Sequence, residues 1–275
     1  MSFLKNKKFL QIANIITYFL TILVNFLANL IPIGGRNTGQ VSDSYPDLFA
    51  PAGITFSIWG VIYVLLAFFV FYTSRDVFKE QEDDIPYVEQ ISFYYMISNI
   101  LNITWLISWH YNIIPLSFVI MIGILLTLIK IYLNLNIGLE EISTKEKILV
   151  HVPFSVYLGW ISIATIANTT ALLVAMGWDG FGISESIWTI IVLIVAIILT
   201  LLMQYIRKDI AFSLVVIWAS IGIIIKRLAP ITLQVLFLNL GVLFEPIYYE
   251  IAITAGIGII IVSIGIIMIV IQKIR

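Results

Sequence analysis

The chain has 275 residues, of which 61% are hydrophobic and 11% are charged, and its mean hydropathy is +1.06. Soluble domains are about 45–50% apolar and about 25% charged, so this composition excludes an ordinary soluble protein and indicates a chain whose main solvent is lipid. The net charge of −1 excludes nucleic acid as a partner, because no basic face is available to neutralise phosphates. The absence of cysteine excludes disulfides and thiolate metal sites.

Long apolar runs, separated by short polar segments, follow one another from end to end. A helix of about 20 apolar residues crosses the hydrocarbon core of a bilayer. The runs lack the two-residue alternation of a lipid-facing barrel strand, so we predict an all-α integral membrane protein with about eight transmembrane helices. The predicted spans are 9–32, 53–73, 90–109, 114–136, 148–176, 185–206, 210–226 and 249–272.

Three connecting segments carry further expectations. Segment 33–52 is long, polar and rich in glycine, so we expect it to fold over a site. Segment 74–89 is acidic and is predicted to be a solvated linker. Segment 230–247 is apolar but short and is bounded by two prolines, which predicts an interfacial or re-entrant segment rather than a ninth span.

The distribution of lysine and arginine predicts the orientation of the chain. Cytoplasmic loops carry an excess of these residues, and the alternate loops of this chain differ strongly in their content. Eight spans with the N-terminus inside place both termini in the cytoplasm, at a cell membrane. The eleven inner residues are Lys5, Lys7, Lys8, Arg75, Lys79, Lys145, Lys147, Arg207, Lys208, Lys273 and Arg275, and the three outer residues are Arg36, Lys226 and Arg227.

Aromatic and amide side chains recur at helical spacing in three of the predicted spans. Residues three or four apart share one face of a helix, and asparagine in hydrocarbon needs a partner, so we expect these asparagines to face the protein interior. The stripes are Trp59 and Tyr63 in the second span, Asn99, Asn102, Trp105 and Trp109 in the third, and Tyr157, Trp160, Ala164 and Asn168 in the fifth.

These stripes have two interpretations. They either pack helix against helix, or they line one pocket for a flat, largely apolar ligand. No aspartate or glutamate lies in the core of a predicted span, which argues against a carrier coupled to protons or ions. No catalytic residue and no metal ligand is predicted, because neither His110 nor His151 has a matched partner in the sequence.

The three stripes resemble the motifs of the TspO/MBR family, the tryptophan-rich sensory or translocator proteins. The similar segments are P-A-G-I-T-F-S-I-W-G-V-I-Y (51–63), N-I-L-N-I-T-W (99–105) and V-Y-L-G-W-I-S-I-A-T-I-A-N (156–168). They occur in the order that the family shows. The resemblance implies a TspO-like five-helix bundle over residues 1–177 and, over 178–275, an extension of three further spans, as in a longer prokaryotic branch of the family.

The resemblance also implies a function. A receptor or sensor would bind a hydrophobic planar molecule, tetrapyrrole- or sterol-like, inside the bundle. A tetrapyrrole or haem would then be a ligand, with no cofactor required. The alternatives are a transporter of such molecules and, as an enzyme, a tetrapyrrole-degrading protein that uses tryptophan radicals. By motif, the ligand-binding residues would be Trp59, Tyr63, Asn102, Trp105, Tyr157, Trp160, Ala164 and Asn168.

Two further partners are expected. A chain of this hydropathy contacts membrane lipid over most of its surface. A homodimer is the assembly that the resemblance implies. Small residues permit close approach between helices, and Gly256, Gly258 and Gly265 form such a face in the last span.

Overall fold

Helices account for all the regular secondary structure in the part of the chain that the structure describes, which is a computed structural model covering residues 6–31, 33–79, 85–236 and 247–274. The prediction of an all-α protein is confirmed. The helices are α1 (Lys7–Leu30), α2 (Thr38–Asp43), α3 (Ile58–Thr73), α4 (Pro86–Ile91), α5 (Tyr94–His110), α6 (Ile114–Asn134), α7 (Thr144–Glu146), α8 (Val152–Ala175), α9 (Glu185–Arg207), α10 (Ile210–Leu236) and α11 (Tyr249–Ile274).

Seven of the described helical segments are long and apolar enough to cross a membrane. The remaining predicted span, 90–109, corresponds to α5, which has 17 residues and is preceded by the separate short helix α4. About 17 residues is the lower limit for a span, so α5 is just long enough to cross the hydrocarbon core. Its position in the bundle, between α1 and α6, is that of a core helix.

Two predicted segments fall partly outside the described residues. Residues 80–84 of the acidic linker are among them, and so are 237–246 of the apolar segment 230–247. The first part of that apolar segment continues α10, which extends to Leu236 rather than ending near residue 226.

One end of the bundle gathers basic side chains from several helices. Lys7 at the start of α1 pairs with Asp76 after α3, at 2.7 Å. Arg75 and Lys145 both lie over the ring of Tyr72, at 4.5 and 5.3 Å. The start of α1, the end of α3 and the start of α7 therefore meet at the same end.

The end of α11 reaches this same end of the bundle. Lys273 interacts electrostatically with Lys147 and Lys208. At the opposite end, Lys226 of α10 pairs with Asp43 of α2 at 2.7 Å. Among the described residues, these basic side chains of the predicted inner set thus lie at one end of the bundle, and Lys226 of the outer set lies at the other.

Helix α10 packs closely against α8, because a glycine replaces a side chain at the crossing. A Cβ atom on Gly159 of α8 would lie 3.1 Å from Cβ of Val215 and 3.2 Å from the carbonyl oxygen of Phe212. Buried residues of α10 and α11 belong to the same hydrophobic core as those of α1 to α8. The described parts of α9, α10 and α11 are therefore packed onto the preceding helices over a common core.

Two of the three glycines proposed for a dimer face are used within the chain. A Cβ on Gly258 would overlap Ile197 of α9, and one on Gly265 would overlap the amide of Gln204 of α9. Gly256, by contrast, faces open space. The glycines at 258 and 265 let α9 and α11 approach each other, and the homodimer stays a prediction.

Candidate functional site

Trp59 of α3 lies at the centre of a cluster of aromatic rings from three helices. Its indole stacks on Tyr63 of the same helix, with ring centroids 5.7 Å apart. It also contacts the ring of Trp105 on α5 at 5.8 Å. Tyr157 and Trp160 of α8 present their edges to Trp59 at 6.0 and 6.3 Å. The three sequence stripes thus converge on one ring system.

Amide groups connect the helices beneath these rings. Asn102 is fully buried, and its side chain donates to the hydroxyl of Tyr157 at 3.3 Å. The oxygen of the same amide accepts from Asn25 of α1 at 2.9 Å. Asn99 and Asn168 are buried as well. The prediction that the asparagines of the spans face the protein interior is confirmed.

Asn168 links α8 to two other helices. Its side-chain oxygen accepts a hydrogen bond from the indole nitrogen of Trp105, at 3.1 Å. Its amide nitrogen donates to the hydroxyl of Ser117 on α6, also at 3.1 Å. A buried amide with both ends satisfied fixes the relative rotation of the helices that it joins, because losing either bond would leave a polar atom in an apolar environment.

A small cavity of about 30 Å³ remains inside the cluster. Ala164 lines it on α8, where a larger side chain would fill it. Ligand pockets are usually about 300–1,000 Å³, so the cluster is closed in this conformation and its rings fill the space between the helices. Of the eight predicted site residues, those that line the cavity are Trp59, Trp105, Trp160, Ala164 and Asn168, while Tyr63, Tyr157 and Asn102 form the layer next to them.

Two buried polar atoms of the cluster have no hydrogen-bond partner within the described part of the chain, the hydroxyl of Tyr63 and the indole nitrogen of Trp160, and only Trp160 also lines the cavity. The indole nitrogen of Trp160 is buried and donates no hydrogen bond there. The equivalent atoms of Trp105 and Trp109 donate to Asn168 and to the carbonyl oxygen of Thr38. An unsatisfied buried donor costs about 1–3 kcal/mol, so Trp160 offers a hydrogen bond to any acceptor that enters the cavity.

The predicted loop 33–52 covers the cluster. It contains the short helix α2, which begins with a reciprocal capping arrangement between Asn37 and Gln40. Ser42 at the end of α2 and Pro51 after it both line the cavity. The expectation that this segment folds over a site agrees with its position in the structure.

Two site residues were not predicted from the sequence. Asn25 of α1 bonds to Asn102, and Ser117 of α6 bonds to Asn168. A signal for the first existed, because Asn14, Thr21 and Asn25 fall on one helical face of α1 and all are buried. Ser117 is a single serine in an apolar run, and nothing local distinguishes it from a serine exposed to lipid.

The donor set of the cavity fits a purely organic ligand better than a metal-centred one. The residues lining it in the described chain include no histidine and no methionine. His110 lies at the end of α5 with its Nδ1 within 2.8 Å of the carbonyl oxygen of Leu106, and it does not line the cavity. Axial ligation of a haem iron by histidine is therefore not offered by the cavity lining.

The chain was compared with known proteins. A family model described as TSPO-like protein matches residues 11–270, which is nearly the whole chain and includes the last three long helices. No curated protein and no solved structure gave a match.

Proposed function

Since the chain belongs to the TSPO-like protein family, we propose that it is a membrane sensor that binds a flat, largely apolar molecule, of tetrapyrrole or sterol type, in the aromatic cluster around Trp59. Its long apolar helices and its family make it an integral membrane protein. The ligand-binding residues of the proposal are the eight motif residues, together with Asn25 and Ser117, which form hydrogen bonds with Asn102 and Asn168. The eight are Trp59, Tyr63, Asn102, Trp105, Tyr157, Trp160, Ala164 and Asn168.

The unsatisfied indole nitrogen of Trp160 is the observation that supports this proposal most directly. Hydrogen bonds satisfy the indole nitrogens of Trp105 and Trp109, whereas Trp160 lines the cavity and its indole nitrogen has no acceptor among the described residues. A planar ligand with an acceptor at its rim, such as a ring nitrogen or a carboxylate, would satisfy this donor while stacking on Trp59. Aromatic contacts of this kind contribute about 0.5–1.5 kcal/mol beyond the area that they bury.

Binding requires the cluster to open. A cavity of about 30 Å³ holds roughly one water molecule, whereas a tetrapyrrole needs a pocket in the usual range of several hundred Å³. The rings of Trp59 and Trp160, which meet edge to face, are the side chains that must separate. A sensor that changes its packing when the ligand enters has a physical means of reporting the ligand to a partner.

The test is a titration of purified protein with protoporphyrin, followed through the porphyrin's own absorbance so that the loss of a tryptophan does not alter the reporter. Trp160→Phe keeps a ring but removes the donor, and we expect roughly tenfold weaker binding. Trp178→Phe, a tryptophan outside the cluster, is the matched control. Equal affinity for wild type, Trp160→Phe and Trp160→Ala would remove this cluster from consideration. Uptake of the porphyrin into proteoliposomes would show a transporter rather than a sensor.

The proposed orientation places the basic end of the bundle in the cytoplasm. That end holds Lys7, Arg75, Lys145 and Lys273, while the opposite end holds Lys226 in an ion pair. Positive charge is retained on the cytoplasmic side during insertion. Both termini would then be cytoplasmic, and the loop over the aromatic cluster would face outward.

A further inference from the structure

A second cavity, of about 490 Å³, lies between α8 and α9, at the same end of the bundle as the loop over the cluster. Segment 46–48, the last turns of α8, the turn 178–180 and the start of α9 enclose it. None of its lining residues lines the cavity of the aromatic cluster. Its volume falls within the range of small-molecule sites, whereas the cluster itself is closed.

Two indole rings form the aromatic wall of this cavity. Trp178 and Trp188 lie 5.3 Å apart between ring centroids, at an angle of 52°. The nitrogen of Trp188 donates to the carbonyl oxygen of Gly180 at 2.9 Å, which holds this ring in place. Gly180 has a φ of +68°, and a Cβ there would lie 3.3 Å from the ring of Trp188, so the turn fits closely against the indole. Fixed indole faces of this kind attract cations.

The charge of the lining is negative. Asp47, Asp179 and Glu185 line the cavity, and no lysine, arginine or histidine of the described residues does. Two cations of α10 are close without lining it. Lys226 pairs with Asp43 and also interacts electrostatically with Asp47, and Arg227 interacts electrostatically with Glu185. The dipole at the start of α9 contributes roughly half a positive charge, which does not offset three carboxylates.

Asp47 is the buried member of this set, with 5% of its surface exposed. One of its oxygens accepts from the backbone nitrogens of Phe49 and Ala50 and from the hydroxyl of Thr170, at 2.9, 2.7 and 3.1 Å. Its other oxygen accepts no hydrogen bond from the described residues. Burial raises the pKa of this carboxyl, and a cation in the cavity would favour its charged form.

We propose that this cavity binds a hydrophobic organic cation, an ammonium or phosphonium centre with apolar substituents, held between the two indoles and the free oxygen of Asp47. The apolar side chains of the lining, which include Leu173, Val174 and Val192, contact the apolar substituents of the ligand, and the carboxylates neutralise its positive charge. This second site is independent of the proposed sensor site, because the two cavities share no residue.

The experiment measures equilibrium binding of tetraphenylphosphonium to the full chain in a non-ionic detergent, with empty micelles subtracted. Triphenylphosphine oxide, which is similar in shape but neutral, is the comparison ligand. We expect saturable binding of the cation only. Asp47→Asn should weaken it about tenfold, because it removes the charge while keeping a side chain of the same size. Trp178→Leu should weaken it roughly three- to tenfold, because it removes the aromatic face while keeping an apolar side chain.

Two control variants complete the experiment. Glu250→Gln removes a carboxylate at the same end of the bundle but outside the cavity, and Trp160→Phe alters only the aromatic cluster. Both should bind the cation as wild type does. Equal binding of the neutral oxide, or unchanged affinity in Asp47→Asn, would overturn the proposal, and the comparison of the two ligands on wild type needs no variant to fold.

A last arm identifies the source of the cationic group. Phosphatidylcholine carries a quaternary ammonium head, whereas phosphatidylglycerol carries none. Displacement of tetraphenylphosphonium by phosphatidylcholine alone would assign the site to a lipid headgroup. Displacement by neither lipid would assign it to a free organic cation. Displacement by both lipids alike would show that the lining does not select positive charge and would contradict the proposal.

Discussion

The indole nitrogen of Trp218 donates a hydrogen bond of 3.0 Å to the carbonyl oxygen of Thr55, which lies 163 residues earlier in the chain. Trp218 belongs to α10, and Thr55 belongs to the 3₁₀ turn that leads into α3. A second bond runs the other way: the backbone nitrogen of Ala52, at the start of this turn, donates to the carbonyl oxygen of Gly222 on α10, at 3.0 Å. Helix α10 therefore holds the segment that positions Trp59 in the cluster.

The first prediction concerns this contact. A Cβ on Gly222 would overlap the hydroxyl of Thr55 and lie 2.9 Å from Cβ of Pro51, so Gly222→Ala must displace the turn before α3. We expect a loss of about 1–3 kcal/mol in the free energy of unfolding and weaker porphyrin binding. Thermal unfolding in detergent, together with the porphyrin titration, measures both effects.

Gly256→Ala is the matched control for that variant. It makes the same substitution in α11, where a Cβ would meet no atom within 4 Å. Its melting temperature should equal or slightly exceed that of wild type, because alanine is the better helix former. Equal melting temperatures for both variants would show that the turn before α3 moves to accommodate the added Cβ without a loss of stability, which would contradict the prediction.

The second prediction separates two tryptophans of the cluster by stability. Trp105→Phe breaks a bond to the buried amide of Asn168, and we expect it to cost about 1 kcal/mol more than Trp160→Phe, which breaks none. Both variants lose the same atoms, so the loss of stability that comes from the empty space left behind is comparable in the two. Chemical denaturation of the two variants provides the measurement, and a larger loss in Trp160→Phe would argue that its nitrogen has a partner in solution.

The third prediction concerns the space beside Trp160. Ala164→Leu would fill the cavity of about 30 Å³ and keep the rings from separating, so porphyrin binding should fall by at least about tenfold while the protein still folds. Ala175→Leu, at the exposed end of the same helix, is the control. Retained porphyrin affinity in Ala164→Leu would place the ligand elsewhere.

The fourth prediction concerns the pH dependence of stability through Asp47. Burial raises the pKa of its carboxyl above the ordinary 3.8, more than the hydrogen bonds from Ala50, Thr170 and Phe49 and the charge of Lys226 lower it. The folded state then binds the proton more tightly than the unfolded state does. The contribution of this protonated carboxyl to the free energy of unfolding is therefore fully present below pH 3.8, and it is lost as the pH rises through the raised pKa of the folded state.

Asp47→Asn cannot ionise, so its melting temperature should rise relative to that of wild type as the pH increases from 3.8 toward neutrality. The measurement is a series of melting temperatures for both proteins over that range. Parallel curves would mean that Asp47 ionises equally well in the folded and unfolded states. The expected gain in stability, together with the expected loss of tetraphenylphosphonium binding, would identify a residue retained for binding.

The fifth prediction tests the orientation. The chain contains no cysteine, so single cysteines introduced at exposed positions report one site each. A membrane-impermeant maleimide applied to intact cells should label Phe181→Cys in the outer turn. It should label Thr144→Cys, beside the basic end of the bundle, only after the cells are permeabilised. The reverse pattern would invert the proposed topology.

Most of the helices and the membrane class were predictable because both depend on local sequence. A run of apolar residues long enough to span forms a helix in lipid, since each backbone group must be satisfied within its own segment. The burial of the stripes was predictable from local sequence as well: in hydrocarbon, a face that carries Asn102 and Trp105 must turn toward protein. Tyr157, Trp160 and Asn168 follow the same rule on α8.

The partners of those faces were not predictable. Asn102 bonds to Asn25 of α1, and Asn168 bonds to Ser117 of α6, because the rotation of each helix depends on all its neighbours. The cavity beside Trp178 and Trp188 was missed for the same reason. Its carboxylates come from segments as distant in sequence as Asp47 and Glu185, and no local pattern brings them together.

The composition and periodicity of the sequence alone determined the solvent of this protein, the helical class and which side chains must be buried, since these follow from the transfer of backbone and apolar groups into lipid. Only the tertiary structure decided that α10 supports the turn before α3, that the aromatic cluster is closed, and that a separate acidic cavity lies beside it. These features depend on close packing between distant segments, where a single missing Cβ, as at Gly222, sets how near α10 can come to the turn before α3.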